Sequence, residues 1–269
     1  MRAVLIVAVI VAPSMLVPGM EADAQQTVAL VALFAGLLTF VEYKAEAPGL
    51  VEFRDAAPFN RIRFTLLAAT LLTLSLIERG RTDPSTLTQL LDAIGALVGH
   101  AMDFPYSPVR LVTLTLTEGA TDADIALLRA SAGMAYLTSL LTMILFSFHM
   151  RRGNWPRHGQ VFNVWINLPT FDPTSGSDIV GRLERDARIN IALGFLLPFL
   201  APALVKLGMG GIDPASLASP HSLIWTVTAW AFLPASLFMR GIAMHRVAQM
   251  VREKQRESTR SHSEALFAA

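Results

Sequence analysis

The chain has no cysteine among its 269 residues. Disulfides, thiolate zinc sites, iron–sulfur clusters and thiol nucleophiles are therefore excluded. Charge is also scarce: 16% of residues are Asp, Glu, Lys or Arg, against about 25% in an ordinary soluble domain. Lysine is nearly missing, at Lys44, Lys206 and Lys254 only. A net charge of +1 provides no basic field that would draw nucleic acid. There is no phosphate loop, no dinucleotide-binding glycine pattern, no H-E-x-x-H and no G-x-S-x-G. Of the six histidines, none stands four residues from another, and only His149 ends an apolar stretch. With no second ligand in view, His149 is read as an interfacial residue beside Arg151 rather than a haem or chlorophyll ligand. No metal or cofactor is expected.

What the chain has is apolar length. It is 53% hydrophobic, with a mean hydropathy of +0.47. A helix needs roughly 20 apolar residues to cross the hydrocarbon, within a range of about 17–25. Six stretches meet or approach that, at about 3–19, 27–41, 62–77, 130–150, 189–207 and 222–239. The shorter ones are flanked by residues such as Arg63 and Arg79, whose long stems let the charge reach the interface. The expected fold class is an all-α integral membrane protein, a bundle of about six transmembrane helices with an outer amphipathic helix and a short β-strand.

Lys and Arg collect on the cytoplasmic side of membrane proteins. The stretch 42–61 carries Lys44, Arg54 and Arg61, and the loop 151–188 carries six arginines, including Arg157. The stretches 21–26 and 208–221 carry none, and 78–129 carries four basic residues spread over its length. Rich and poor segments alternate, which places both termini in the cytoplasm, 78–129 in the periplasm and 151–188 as a cytoplasmic loop. Residues 1–244 form the polytopic membrane domain and 245–269 a polar cytoplasmic tail that frays into disorder. The predominance of Arg over Lys, with abundant Ala, Leu and Gly, is the composition of a GC-rich bacterial chain, so the expected location is a bacterial inner membrane. The first stretch has a rival reading: Met-Arg, an apolar run and Ala22-Asp23-Ala24 resemble a cleaved secretory signal. Pro13, Pro18, Glu21 and Asp23 count against cleavage, and a retained helix is expected.

Three segments outside the crossings carry patterns. Asp83-Pro84 reads as an N-cap followed by proline at the first helical position. Leu87, Leu90, Leu91, Ile94, Leu97 and Val98 then recur at helical spacing, which predicts an amphipathic helix on the outer membrane face. Val109 to Thr117 alternates apolar residues with threonines and reads as a strand in need of a partner. Thr121 and Asp124 form a capping pair that opens the fourth crossing helix early. The loop 151–188 holds Trp155, Phe162, Trp165 and Phe171 among Pro156, Pro169 and Pro173. Disordered linkers are poor in aromatics. The four are therefore candidate partner-binding residues or headgroup anchors.

Ionisable groups inside crossings mark transport paths, and the apolar cores here have none. Their hydroxyls, such as Thr70, Thr73, Thr138, Ser139 and Thr142, read as helix-packing groups. Ala32-x-x-x-Gly36 offers a small-residue contact face. The expected function is a non-catalytic accessory, scaffold or assembly subunit of an inner-membrane complex, with membrane lipids and other membrane subunits as partners. A respiratory or photosynthetic complex is a natural host, though no residue names one. A small transporter or channel would instead need a polar route past Pro198 and Pro202. A cytoplasmic-face lipid enzyme would need Glu42, Asp55, Arg61, Asp172 and Arg185 to converge in one pocket.

Overall fold

The computed structural model describes residues 1–19, 22–117, 119–152, 155, 162–172, 174, 178–209, 212 and 219–268. Glu21, Pro156, Arg157 and Pro173 lie outside them. The described chain is helical: α1 (Arg2–Leu16), α2 (Ala22–Lys44), α3 (Phe59–Thr82), α4 (Thr86–Met102), α5 (Pro108–Thr113), α6 (Asp122–Arg152), α7 (Val164–Asn167), α8 (Ile179–Met209) and α9 (Pro220–Ala268). Five of these, α2, α3, α6, α8 and α9, are long and apolar enough to cross a membrane. The protein is thus an all-α chain of multi-pass membrane character. α1 falls short of that length at 15 residues, so the fold itself supports five crossings where six were expected.

The long helices are joined where side chains vanish. A Cβ on Gly194 of α8 would lie 2.6 Å from the Phe238 backbone nitrogen and 2.7 Å from the Pro234 carbonyl of α9. Gly241 of α9 likewise sits against Ala187 and Ile191 of α8. Backbone approach of this kind is how helices pack without a hydrophobic driving force in lipid. Gly36 of α2 meets Val7 and the Ala3 carbonyl of α1, with Ala32 buried one turn away, so the Ala32/Gly36 face is the α1–α2 contact. Three prolines interrupt α8 and α9 at Pro198, Pro202 and Pro234 without ending either helix.

The segment between α3 and α6 departs from expectation at the cap of α4 and at the expected strand. Asp83 closes α3 by pairing with Arg79 at 2.8 Å, and Ser85 is the true N-cap of α4, in a reciprocal capping box with Thr88. α4 packs Leu91 partly against the core and turns its other leucines outward. It docks on α3 and α6 through Thr88, Gly95 and Gly99, and a Cβ on Gly133 of α6 would come 2.6 Å from the Gly99 Cα. Leu87, Leu90, Ile94 and Leu97 face outward. The expected strand at 109–117 is instead the short helix α5, Pro108–Thr113, followed by a turn. Ser107 caps it by accepting from the Arg110 amide, Pro108 occupies its first turn, and the Thr113 and Thr115 hydroxyls donate three residues back to the Arg110 and Val112 carbonyls. Local hydroxyl bonding outcompetes a ladder where no partner strand exists. Only a single parallel bridge, Leu116 with Ile212, remains among the described residues.

Two further boundaries follow capping and packing rather than the ends of the apolar runs. The expected Thr121–Asp124 pair does cap α6: the Thr121 amide donates to Asp124 at 2.9 Å and the Asp124 amide to the Thr121 hydroxyl at 3.2 Å. α9 runs unbroken past His245, and Val247 and Ala248 are fully buried on it. The first part of the expected tail therefore belongs to the core.

Candidate functional site

The arginine-rich end of the molecule is built from α9, the 45–58 segment and the 162–174 segment. Glu42 organises the first turn after α2: its buried carboxylate accepts the backbone amides of Gly49, Leu50 and Val51. Arg54 reaches back to the Glu42 and Ala45 carbonyls, which a helix C-terminus leaves without donors. Phe53 has a positive φ of 51°, an uncommon conformation outside glycine. Its amide donates to the Asn167 carbonyl at 2.7 Å and its ring is buried, which together hold it there. Glu52 accepts two bonds from Arg240 of α9, at 2.5 and 2.8 Å, and one from Thr170. Arg252 joins Glu184 in the same way across α8 and α9.

The four aromatic residues singled out in the sequence divide here. Trp155 is 4% exposed and Phe171 5%, so both lie in the chain's own core. Trp155 donates its indole N–H to the Ala56 carbonyl and accepts Arg246 on its own carbonyl. Its ring centroid lies 5.9 Å from that of Phe53, which in turn stacks 4.5 Å from Phe59. Phe171 lies under the Arg182 guanidinium at 4.7 Å. Phe162 is half-buried against this cluster. Trp165, on the short α7, leaves 56% of its surface exposed.

Beside this cluster lies an open cleft of about 360 Å³ between α1, α2, α3 and the 51–57 segment. Arg2, Arg54, Arg61 and Arg63 line it, and among the described residues no Asp or Glu does. Thr39, Tyr43 and Asn60 add neutral polar groups, while Leu5, Ile6, Phe64, Leu67 and Phe232 make the rest apolar. Arg2 stacks on the Tyr43 ring at 4.2 Å. Arg63 stands 5.3 Å from the Phe59 ring and 5.9 Å from that of Phe232, and its enclosed Nε meets no acceptor. The sequence placed Arg61 in a candidate lipid-enzyme pocket and Arg63 as a flanking charge, but did not join them to Arg2 and Arg54. The signal available was the Arg61-x-Arg63 pair at the start of an apolar helix, and nothing in the sequence brings Arg2 to it.

The other groups proposed from the sequence are not assembled into a site. Of Glu42, Asp55, Arg61, Asp172 and Arg185, only Arg61 lines the cleft. Asp55 pairs with Arg54, Arg185 with Asp186, and Asp172 accepts the Thr174 hydroxyl. Among the described residues no three His, Asp or Glu side chains gather as a cation site, and His149 is exposed on α6. The hydroxyls of Thr70, Thr138, Ser139 and Thr142 donate to carbonyls three or four residues back on their own helices. Near Pro202 lies a second cavity, of about 310 Å³, lined by Val112, Leu197, Val205 and Trp230 with no charged side chain.

Five apolar spans and this arginine-rich end define a multi-pass α-helical membrane protein. Comparison with protein-family models, curated proteins and solved structures finds no match.

Proposed function

We propose that the chain is a non-catalytic accessory or assembly subunit of a bacterial inner-membrane complex, crossing six times with both termini in the cytoplasm. One observation carries this reading. The carboxylates at the arginine-rich end fasten the chain to itself instead of facing a common substrate: Glu42 holds backbone amides, Glu52 holds Arg240, and Glu184 holds Arg252. Catalytic carboxylates need a reachable, converging geometry, whereas these tie loops to helices. The result is a rigid platform that presents Trp165, and exposed Trp is among the residue types that anchor interfaces. Six crossings require α1 to span with help from Arg2 at its end and from local bilayer thinning, which costs only fractions of a kcal/mol per Å.

The test is purification in mild detergent and in native lipid. A stoichiometric membrane partner should co-purify, should cross-link to a photoreactive residue at position 165, and should be lost in Trp165→Asp but kept in Trp165→Phe. A monomer without stoichiometric partner in both media would refute the reading. Partner retention in Trp165→Asp would assign that residue to a headgroup anchor instead.

A further inference from the structure

We propose that the cleft between α1, α2 and α3 binds one anionic phospholipid, its phosphate held by Arg2, Arg61 and Arg63 and an acyl chain lying along Leu5, Ile6 and Leu67. Of the four arginines in the cleft, Arg54 is committed to Asp55 and to the carbonyls of Glu42 and Ala45. The other three have no carboxylate partner among the described residues. The nearby Glu52 carboxylate is already held by Arg240 and Thr170. Arg63 is the most enclosed of the three, and it lines the cleft without an ion pair among the described residues. The rings of Phe59 and Phe232, at 5.3 and 5.9 Å, pack near the guanidinium. Arg63 lines the cleft, where a phosphodiester can accept from its guanidinium in the fork geometry that the group favours.

The rest of the cleft decides between phosphate sources. Free phosphate and a lipid headgroup offer the same oxygens. Free phosphate, however, would leave the apolar wall of Leu5, Ile6 and Leu67 uncovered, and that wall lies on helices that continue into the apolar part of the bundle. A volume of about 360 Å³ fits a headgroup and the first part of a chain, with the remainder in the bilayer. Basic pockets between membrane helices are a recognised way of holding anionic headgroups.

The experiment is native mass spectrometry of the full chain released from vesicles of phosphatidylglycerol mixed with phosphatidylcholine. Wild type should retain phosphatidylglycerol in preference to phosphatidylcholine. Arg2→Gln/Arg61→Gln, at two exposed positions, should lower that retention about tenfold. Arg63→Gln should do the same; if it fails to fold, the double variant decides. Ile6→Trp keeps every arginine but fills the apolar half, and should also expel the lipid. Equal retention of both lipids, wild-type retention in the double variant, or displacement of the lipid by inorganic phosphate alone would overturn the proposal.

Discussion

Trp230 donates its indole N–H to the Pro198 carbonyl at 3.2 Å, and the reason lies four residues further on. Pro202 has no amide hydrogen, so the carbonyl of Pro198 loses its helical donor. A side chain from α9 replaces the missing bond, which lets α8 pass a proline without breaking. Trp230→Phe should therefore cost about 1–2 kcal/mol in stability, the loss expected when a buried acceptor loses its only donor. Thermal unfolding in detergent measures this, and an unchanged midpoint would show that the carbonyl is satisfied otherwise. Glu52→Gln should be a second sensitive point. It leaves Arg240 half-enclosed without its counter-charge and should cost about 2 kcal/mol, below the 3–5 kcal/mol of a fully buried pair because Arg240 keeps some access to water. At this scale the sequence was a poor guide. Trp155 and Trp165 lie ten residues apart in one loop, yet one is buried and the other exposed. A loop has no periodicity from which to tell inward from outward, and Trp155 meets Phe53, from the segment after α2, as well as Phe162 of its own loop.

The helices themselves were more legible, since α2, α3, α6, α8 and α9 each contain an apolar run that water would not tolerate. Their ends were not. α6 starts eight residues before the apolar run at Ala130, α8 starts ten before Ile189, and α9 extends well beyond Met239. Hydropathy marks where a helix meets lipid, whereas caps and packing mark where it stops. In α4 the glycines and most of the leucines take opposite faces. A leucine stripe marks the buried face of a helix in water, but in a membrane bundle the small residues face inward and the large apolar ones can face lipid. Gly99→Ala or Gly133→Ala should then destabilise by about 1–3 kcal/mol, because the added methyl meets backbone that cannot yield. Gly119→Ala, where a Cβ meets nothing, should be silent. Equal effects in the same unfolding assay would show that α4 is not docked as described.

Across the whole molecule, arginines gather at one end: Arg54, Arg63, Arg240, Arg246 and Arg252 surround the aromatic cluster. The opposite end carries the Asp103 pairs with Arg110 and Arg129. The proposed partner surface and the proposed lipid cleft both lie at the first of these ends. Because the chain has no cysteine, single introduced thiols report accessibility without background. The most direct measurement is labelling of intact cells with a membrane-impermeant maleimide at exposed positions on the two ends, in Tyr106→Cys (Tyr106 is 86% exposed), Glu46→Cys and Gln255→Cys. The account predicts labelling of position 106 from outside, and of positions 46 and 255 only after the membrane is permeabilised. Labelling of 46 or 255 in intact cells, or protection of 106, would contradict it.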